Sequence, residues 1–192
     1  LNEQRIGHTG TLDPLASGLM ILTIGKATKI LPFLNHHSKE YICKMQFGYA
    51  TDSLDITGNL TEQKKFNHIS YRQLKTILDG FIGNISQIPP MYSAIKVDGR
   101  PLYKYARAGK TVEVPKREVQ IFYIKLIDKT ADTFTIEVYC SKGTYIRTLV
   151  EDIGQALGCG AHVTMLRRIE VDGLPKGTMH TLEDIQKLAD NR

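Results

Sequence analysis

Cysteine is scarce in this chain of 192 residues, which contains three. Cys43, Cys140 and Cys159 lie far apart and form none of the spacings that bind a metal or perform redox chemistry. We therefore expect three reduced, partly buried thiols.

Groupings of other metal ligands are also lacking. Asp52 and Asp55 supply too few oxygen ligands for a calcium site. The histidines with no ligand spacing are His36, His37, His68, His162 and His180. No metal site is predicted.

Long hydrophobic runs are absent as well. No apolar run approaches the ~20 residues that a membrane span needs, and no basic segment followed by an apolar leader is present. We expect a cytoplasmic protein that does not insert into a membrane. The content of 42% hydrophobic and 23% charged residues is typical of a globular protein with a real core, and the length suits one domain.

Positive charge is in modest excess, with a formal net charge of +5. The basic residues are concentrated in a few stretches that also contain tyrosines. These residues are Lys96, Arg100, Lys104, Arg107, Lys110, Lys116, Arg117, Lys142, Arg147, Arg167 and Arg168, with Tyr92, Tyr103, Tyr105 and Tyr145 among them. Such a mixture suits RNA, whose phosphates attract cations and whose unstacked bases pack on aromatic rings. A solvated basic face is the alternative interpretation.

Hydrophobic periodicity predicts both strands and helices. Residues 41–47 alternate between apolar and more polar side chains, as in a half-buried strand, and Ser70 with Gln73 predicts a capping box before an apolar helix stripe. Further strands are predicted over residues 19–24, 93–97, 119–126, 134–140 and 163–171, and further helices over 26–34, 102–108, 148–157 and after Thr181. Since these elements do not follow a strict βαβ order, the fold class is α+β, a mixed, largely antiparallel sheet with flanking helices.

The most informative stretch is GHTGTLDPLASG, residues 7–18. Pro14 biases Asp13 toward an extended backbone, and the glycines permit sharp turns or the close approach of a ligand. A carboxylate held in this way beside the imidazole of His8 is suited to chemistry. The spacing fits equally well an Asx-type turn that leads into a strand.

Residues 7–18 resemble the catalytic loop of the TruB family of tRNA pseudouridine synthases. Four more blocks resemble that family in the same order along the chain. They are Lys39-Glu40-Tyr41 with Gly48 and Thr51-Asp52, then IPPMYSAIK at 88–96 with GRPLY at 99–103, then GTYIR at 143–147, and finally Leu166-Arg167-Arg168.

The resemblance implies an isomerase that converts uridine to pseudouridine at position 55, in the T loop of tRNA. Asp13 corresponds to the indispensable carboxylate, Tyr41 to a tyrosine that stacks on the target uracil, and Arg147 to the active-site arginine. Tyr145 and Leu166 correspond to residues that line the uracil pocket. His8 corresponds to a histidine that contacts the RNA, and Lys29 is a candidate phosphate contact. Without the resemblance, Tyr41 and Leu166 would be ordinary core residues and Arg147 a phosphate contact.

The implied reaction detaches uracil from C1′ of the ribose and rejoins it through C5. Because the product is an isomer of the substrate, no redox carrier or energy donor is required, and no cofactor is predicted. An ionised carboxylate beside the sugar is needed, either to attack it or to remove a proton from it. Arg147 presents a guanidinium fork that suits a carboxylate, so we expect it to pair with Asp13 in the substrate-free site.

The family pattern extends beyond this chain at both ends. It normally begins with a strand and a KPxGxTS segment, and many members end in a small RNA-binding domain. Here Leu1 stands six residues before Gly7, and Arg192 ends the chain. We therefore expect residues 1–192 to be a catalytic domain without that first strand and without the C-terminal RNA-binding domain.

Two other functions share these motifs or this composition. One is a guide-RNA-dependent pseudouridine synthase that acts on ribosomal RNA with partner proteins. The other is an RNA-binding or tRNA-folding protein. The preferred partner is the T stem-loop of tRNA, with no obligate protein partner.

Overall fold

A six-stranded sheet forms the middle of the molecule. The computed structural model describes residues 3–34, 38–66, 69–172 and 179–190; Leu1, His36, His37, His68 and Arg192 lie outside them. The strands of the described part are β1 (Ile6–His8), β2 (Ser17–Gly18), β3 (Leu22–Ile24), β4 (Lys39–Phe47), β5 (Tyr49–Thr51), β6 (Leu60–Gln63), β7 (Gly83–Gln87), β8 (Lys96–Val97), β9 (Arg100–Pro101), β10 (Arg117–Lys129), β11 (Thr133–Cys140) and β12 (Ala161–Val171). The helices are α1 (Leu31–Leu34), α2 (Tyr71–Gly80), α3 (Leu102–Arg107), α4 (Ile146–Ala156) and α5 (Leu182–Asp190), and Gly25–Ile30 forms a 3₁₀ helix before α1.

The strands of the central sheet follow the order β2-β12-β4-β11-β10-β7. All neighbours run antiparallel except β2 and β12, which are parallel. The predicted α+β class with a mixed, largely antiparallel sheet is therefore confirmed. The pairs β1-β3, β5-β6 and β8-β9 form small two-stranded sheets beside it.

The core lies between one face of the sheet and helices α2 and α4. Along β4 the buried side chains alternate with half-buried ones, which confirms the predicted strand and directs Cys43, Met45 and Phe47 into the core. Leu74 of α2 and Leu149 of α4 belong to the same cluster.

The predicted capping box is present at the start of α2. Ser70 accepts a hydrogen bond from the Gln73 N–H, and the Gln73 side chain accepts one from the Ser70 N–H.

Two predicted strands are largely wrong. The segment 93–97 contributes only β8, because the carbonyls of Ser93 and Ile95 accept hydrogen bonds from the N–H groups of Tyr103 and Leu102 at the start of α3. The segment 19–24 contributes only β3, because the Leu19 N–H bonds to the central sheet while β3 pairs with β1. Each segment passes from one neighbour to another and cannot form a continuous ladder.

The three cysteines are free and buried, as expected, and burial raises the pKa of Cys140 to about 12. The segment that contains Asp55 forms a turn between β5 and β6. Strand β7 was not predicted. It has little apolar alternation, yet it places the buried Gln87 beside the start of α4.

Candidate active site

Asp13 lies between β1 and β2, and we call residues 9–19, which include the short strand β2, the Asp13 loop. Gly10 has a φ of 134°, a backbone conformation that favours glycine, and its N–H donates to Nδ1 of His8 over 3.3 Å. After the carboxylate, the Ala16 N–H donates to the carbonyl of Asp13 over 2.8 Å and closes a turn. These contacts leave the Asp13 side chain 30% exposed.

Arg147 pairs with Asp13 as expected, in a two-pronged arrangement. Nε donates to Oδ2 over 2.9 Å and Nη2 donates to Oδ1 over 2.6 Å. The same guanidinium donates to the carbonyl of Ser53 through Nη1 and to the carbonyl of Tyr92 through Nη2, each over 3.0 Å. Because the Arg147 side chain is only 4% exposed, its charge is held in a protein environment where such bonds are strong.

A second carboxylate, Asp55, lies beside this pair. Its Oδ2 is 3.7 Å from Nη1 of Arg147, and its side chain is 3% exposed. Its Oδ1 accepts hydrogen bonds from the Ser53 hydroxyl and from the N–H and hydroxyl of Thr57. The sequence indicated no role for Asp55 beyond the rejected calcium site. The fold makes it a second counter-charge for the buried guanidinium and a support for the 51–58 turn.

A cleft of about 590 Å³ opens over the ion pair, within the range of about 300–1,000 Å³ that is typical of small-ligand sites. Four tyrosines line it together with carboxylates and guanidinium groups: Tyr41, Tyr92, Tyr103 and Tyr145, Asp13 and Asp55, and Arg107, Arg147 and Arg168. Aromatic residues, negative charge and positive charge thus meet at one cavity. An unstacked base and its sugar are the kind of ligand that such walls accommodate.

Tyr41 is 9% exposed and projects from β4. Burial is the main reason why the pKa of its hydroxyl is raised to about 12, and a hydrogen bond from Arg168 opposes that shift. The hydroxyl therefore stays protonated at neutral pH. The ring, and not an ionised oxygen, is what Tyr41 offers to a ligand in the cleft.

Tyr145 stands just before α4, and Gln87 holds its backbone. The Gln87 side chain accepts a hydrogen bond from the Tyr145 N–H over 3.0 Å and donates one to the Tyr145 carbonyl over 3.2 Å. Burial raises the pKa of the Tyr145 hydroxyl. The sequence did not indicate a role for Gln87, because the strand that it ends, β7, has no hydrophobic pattern.

The other residues predicted for the site do not line the cleft in the described part of the chain. His8 is exposed and contacts the start of the Asp13 loop through Gly10. Leu166 is 4% exposed and packs in the core cluster on β12. Lys29 is exposed on the 3₁₀ helix. Their roles stay predictions.

In the described ranges no three His, Cys, Asp or Glu side chains are grouped so that they could hold a metal ion. No helix of those ranges is long and apolar enough to cross a membrane.

The chain was compared with known protein families and curated proteins. The N-terminal domain of the TruB family pseudouridylate synthases matches residues 1–146, and the C-terminal domain of tRNA pseudouridylate synthase B matches residues 147–192. The tRNA pseudouridine synthase B of Actinobacillus succinogenes is 46% identical over 187 residues, which are 97% of this chain and 60% of that protein. The protein of the same name from Bordetella avium is 47% identical over 192 residues, 99% of this chain and 79% of that protein. The chain thus spans 60% of the length of some curated relatives.

Solved structures share the fold. A Cbf5-Nop10-Gar1 complex contains a chain that matches with a TM-score of 0.74 and 28% identity, covering 97% of this chain and 46% of that one. An H/ACA RNP bound to a substrate RNA containing 2′-deoxyuridine matches with a TM-score of 0.69 and 26% identity, covering 97% and 45%. In both matches the similarity covers nearly the whole of this chain but less than half of the matched chain in the solved structure.

Proposed function

The chain belongs to the TruB family of pseudouridylate synthases, and from this premise we propose that it isomerises uridine to pseudouridine in the T loop of tRNA, at position 55. The observation that carries the proposal is the two-pronged ion pair between Asp13 and Arg147 at a cleft lined by tyrosines. The proposal treats residues 1–192 as one catalytic unit, because one hydrophobic core cluster of the described residues contains side chains from both segments that the family domains match.

Asp13 is the group that acts on the sugar. In the isomerisation the C1′–N1 bond breaks, a C1′–C5 bond forms, the proton on C5 leaves and N1 gains a proton. The carboxylate attacks C1′ or removes a proton from the sugar, and both routes need it ionised and next to the ribose. Arg147 supplies the counter-charge, and the 30% exposed carboxylate faces the cleft.

The tyrosines bind the base. Stacking of a nucleobase on an aromatic ring is worth about 1–3 kcal/mol, and Tyr41 is placed by its strand to provide such a face. Its protonated hydroxyl is a poor base for the C5 proton at neutral pH. In this proposal Tyr145 lines the uracil pocket, Leu166 supports that pocket from the core cluster, and His8 contacts RNA next to the flipped nucleotide.

The target uridine must leave its loop before it can enter the cleft, which costs a few kcal/mol of unstacking. The segment 92–110 is suited to hold the displaced RNA, because it combines cations with aromatic rings. Arg107 lies 5.4 Å from the ring centroid of Tyr103, and both line the cleft. Lys29 is proposed as a more distant phosphate contact, and tRNA is the proposed partner.

The test is an Asp13→Asn variant, which keeps the shape of the side chain and removes its charge. We expect binding of a T stem-loop transcript to be kept and release of tritium from C5-labelled uridine to be abolished. Asp79→Asn is the matched control, because Asp79 is an exposed helix residue that pairs with Lys75 and does not line the cleft. Turnover that persists in the Asp13→Asn variant would contradict the proposal.

The same assay separates the alternative functions. The transcript is supplied bare, without guide RNA or partner proteins. Isomerisation under these conditions excludes a guide-dependent enzyme, whereas tight binding with no isomerisation by the wild-type chain would favour the RNA-binding alternative.

A further inference from the structure

Among the described residues Arg168 is the largest side chain that is fully buried, at 1% exposed, and the proposed reaction assigns it no task. It lies on β12 and contributes to the wall of the cleft. A guanidinium has five N–H donors and no acceptor, and burying it is costly unless those donors are satisfied. The partners of Arg168 therefore indicate what its burial achieves.

The guanidinium binds both ends of the Asp13 loop. Nη2 donates to the carbonyl of Gly10 over 3.1 Å, and Nε donates to the carbonyl of Leu19 over 2.7 Å. Asp13 lies between these two anchor points. One rigid side chain thus sets the distance between the ends of the loop that carries the carboxylate.

The backbone of Arg168 holds the same loop. Its carbonyl accepts a hydrogen bond from the Leu19 N–H over 2.8 Å, and Arg168 pairs with Gly18 where β12 runs parallel to β2. The approach is so close that a Cβ on Gly18, where φ is 100°, would stand 2.1 Å from the Arg168 carbonyl oxygen. Glycine is needed there because any side chain would push the loop off the strand.

The same side chain also contacts Tyr41. Arg168 and Tyr41 are directly opposite in the antiparallel pair β12-β4, so their side chains lie on the same face of the sheet. Burial raises the pKa of the Tyr41 hydroxyl, and the charge of Arg168 opposes that rise. The loop that carries the carboxylate and the ring proposed to stack on uracil are therefore both neighbours of one guanidinium.

We propose that Arg168 is a positioning residue, which fixes the Asp13 loop and the Tyr41 ring relative to each other so that sugar and base are presented together. This inference rests on the proposed function. Arg168 differs from Arg147, since Arg147 bonds the carboxylate of Asp13 itself whereas the bonds from Arg168 to the loop go to main-chain carbonyls. Loss of Arg168 should leave the ion pair chemically possible but badly placed.

The test uses Arg168→Gln and Arg168→Lys, with Arg72→Gln on the exposed face of α2 as the matched control. For Arg168→Gln we expect the single-turnover rate to fall about 100-fold, the loss typical of a misplaced catalytic group, while affinity for the T stem-loop stays close to wild type. Arg168→Lys should be intermediate, because one ammonium keeps the charge but lacks the planar fork that bonds the Gly10 and Leu19 carbonyls together. The control should match the wild type.

Hydrogen exchange supplies a readout that does not depend on activity. We expect faster exchange of amides in residues 10–19 of the Arg168 variants and unchanged exchange in β4, β10 and β11. If Arg168→Gln does not fold, Gly18→Ala tests the same attachment without loss of a charge and should give the same rate loss and the same local exchange.

Two results would overturn the inference. One is a wild-type rate in Arg168→Gln. The other is amide hydrogen exchange that becomes faster across the whole sheet in proportion to the loss of the single-turnover rate. That result would show that Arg168 only stabilises the fold. A wild-type chain without isomerase activity would instead refute the proposed function, and the exchange of residues 10–19 would still decide whether Arg168 fixes the loop.

Discussion

Replacement of Arg147 by lysine should be severe although it keeps the positive charge. Arg147 makes four hydrogen bonds, two to Asp13 and one each to the carbonyls of Ser53 and Tyr92. Lysine has a single nitrogen and cannot reach acceptors on opposite sides of a planar fork. If two of the four bonds are lost, at about 1.5 kcal/mol each for a charged donor, the free energy of unfolding falls by about 3 kcal/mol.

A loss of that size should be visible in a thermal melt. For a domain of this length 1 kcal/mol corresponds to about 2–4 °C, so Arg147→Lys should lower the Tm by about 6–12 °C. The isomerisation rate should fall by about 100-fold, because the Asp13 carboxylate loses the fork that orients it. The measurements are circular dichroism at increasing temperature and single-turnover release of tritium, each at neutral pH.

Arg72→Lys is the control for Arg147→Lys, since Arg72 is exposed on α2 and has no carboxylate partner among the ion pairs of the described residues. It should leave both Tm and rate unchanged. A variant Arg147→Lys that melts and reacts like the wild type would show that charge alone, without the fork geometry, accounts for the role of Arg147.

Two further predictions concern residues outside the ion pair. Gln87→Leu should lower the Tm and weaken T stem-loop binding, because it removes both bonds to the Tyr145 backbone and leaves the Tyr145 N–H unpaired at about 1–3 kcal/mol, while the carbonyl keeps its bond from the Leu149 N–H. Melting and a binding titration check this, with the exposed Gln186→Leu as control. Burial raises the pKa of Asp152 to about 6, so its ionised form destabilises the folded state above that pH. Asp152→Asn should therefore raise stability by about 1 kcal/mol at about pH 8, after allowance for partial exposure, and give a much smaller gain at about pH 4, where the carboxyl is neutral in the folded state and about half ionised in the unfolded chain. An equal gain at both pH values, measured by melting, would refute this assignment.

Short-range features of the fold were predictable from neighbouring residues. The capping box of Ser70 and Gln73 and the alternation along β4 each depend on side chains a few positions apart, and both are confirmed. The last helix begins as predicted too, where Thr181 and Asp184 exchange hydrogen bonds. Segments 19–24 and 93–97 were mispredicted because distant backbone groups take up their hydrogen bonds.

The site was predictable where motif residues carry it. Asp13 and Arg147 are 134 positions apart, and the motif resemblance identified both before the fold brought them within 2.6 Å. Asp55 and Gln87 were missed, and Arg168 was noticed only as part of a basic motif. Gln87 and Arg168 bond to main-chain groups, which every residue possesses and which therefore leave no trace in the sequence.

The sequence by itself thus determined the chemistry, since a carboxylate, a guanidinium and aromatic rings are properties of side chains, and it determined the local elements that depend on nearby residues. Only the tertiary structure decided how those groups are held. Arg147 and Arg168 satisfy their donors on carbonyls from loops far apart in the chain, and that pairing exists only when the sheet and α4 bring those loops to one cleft.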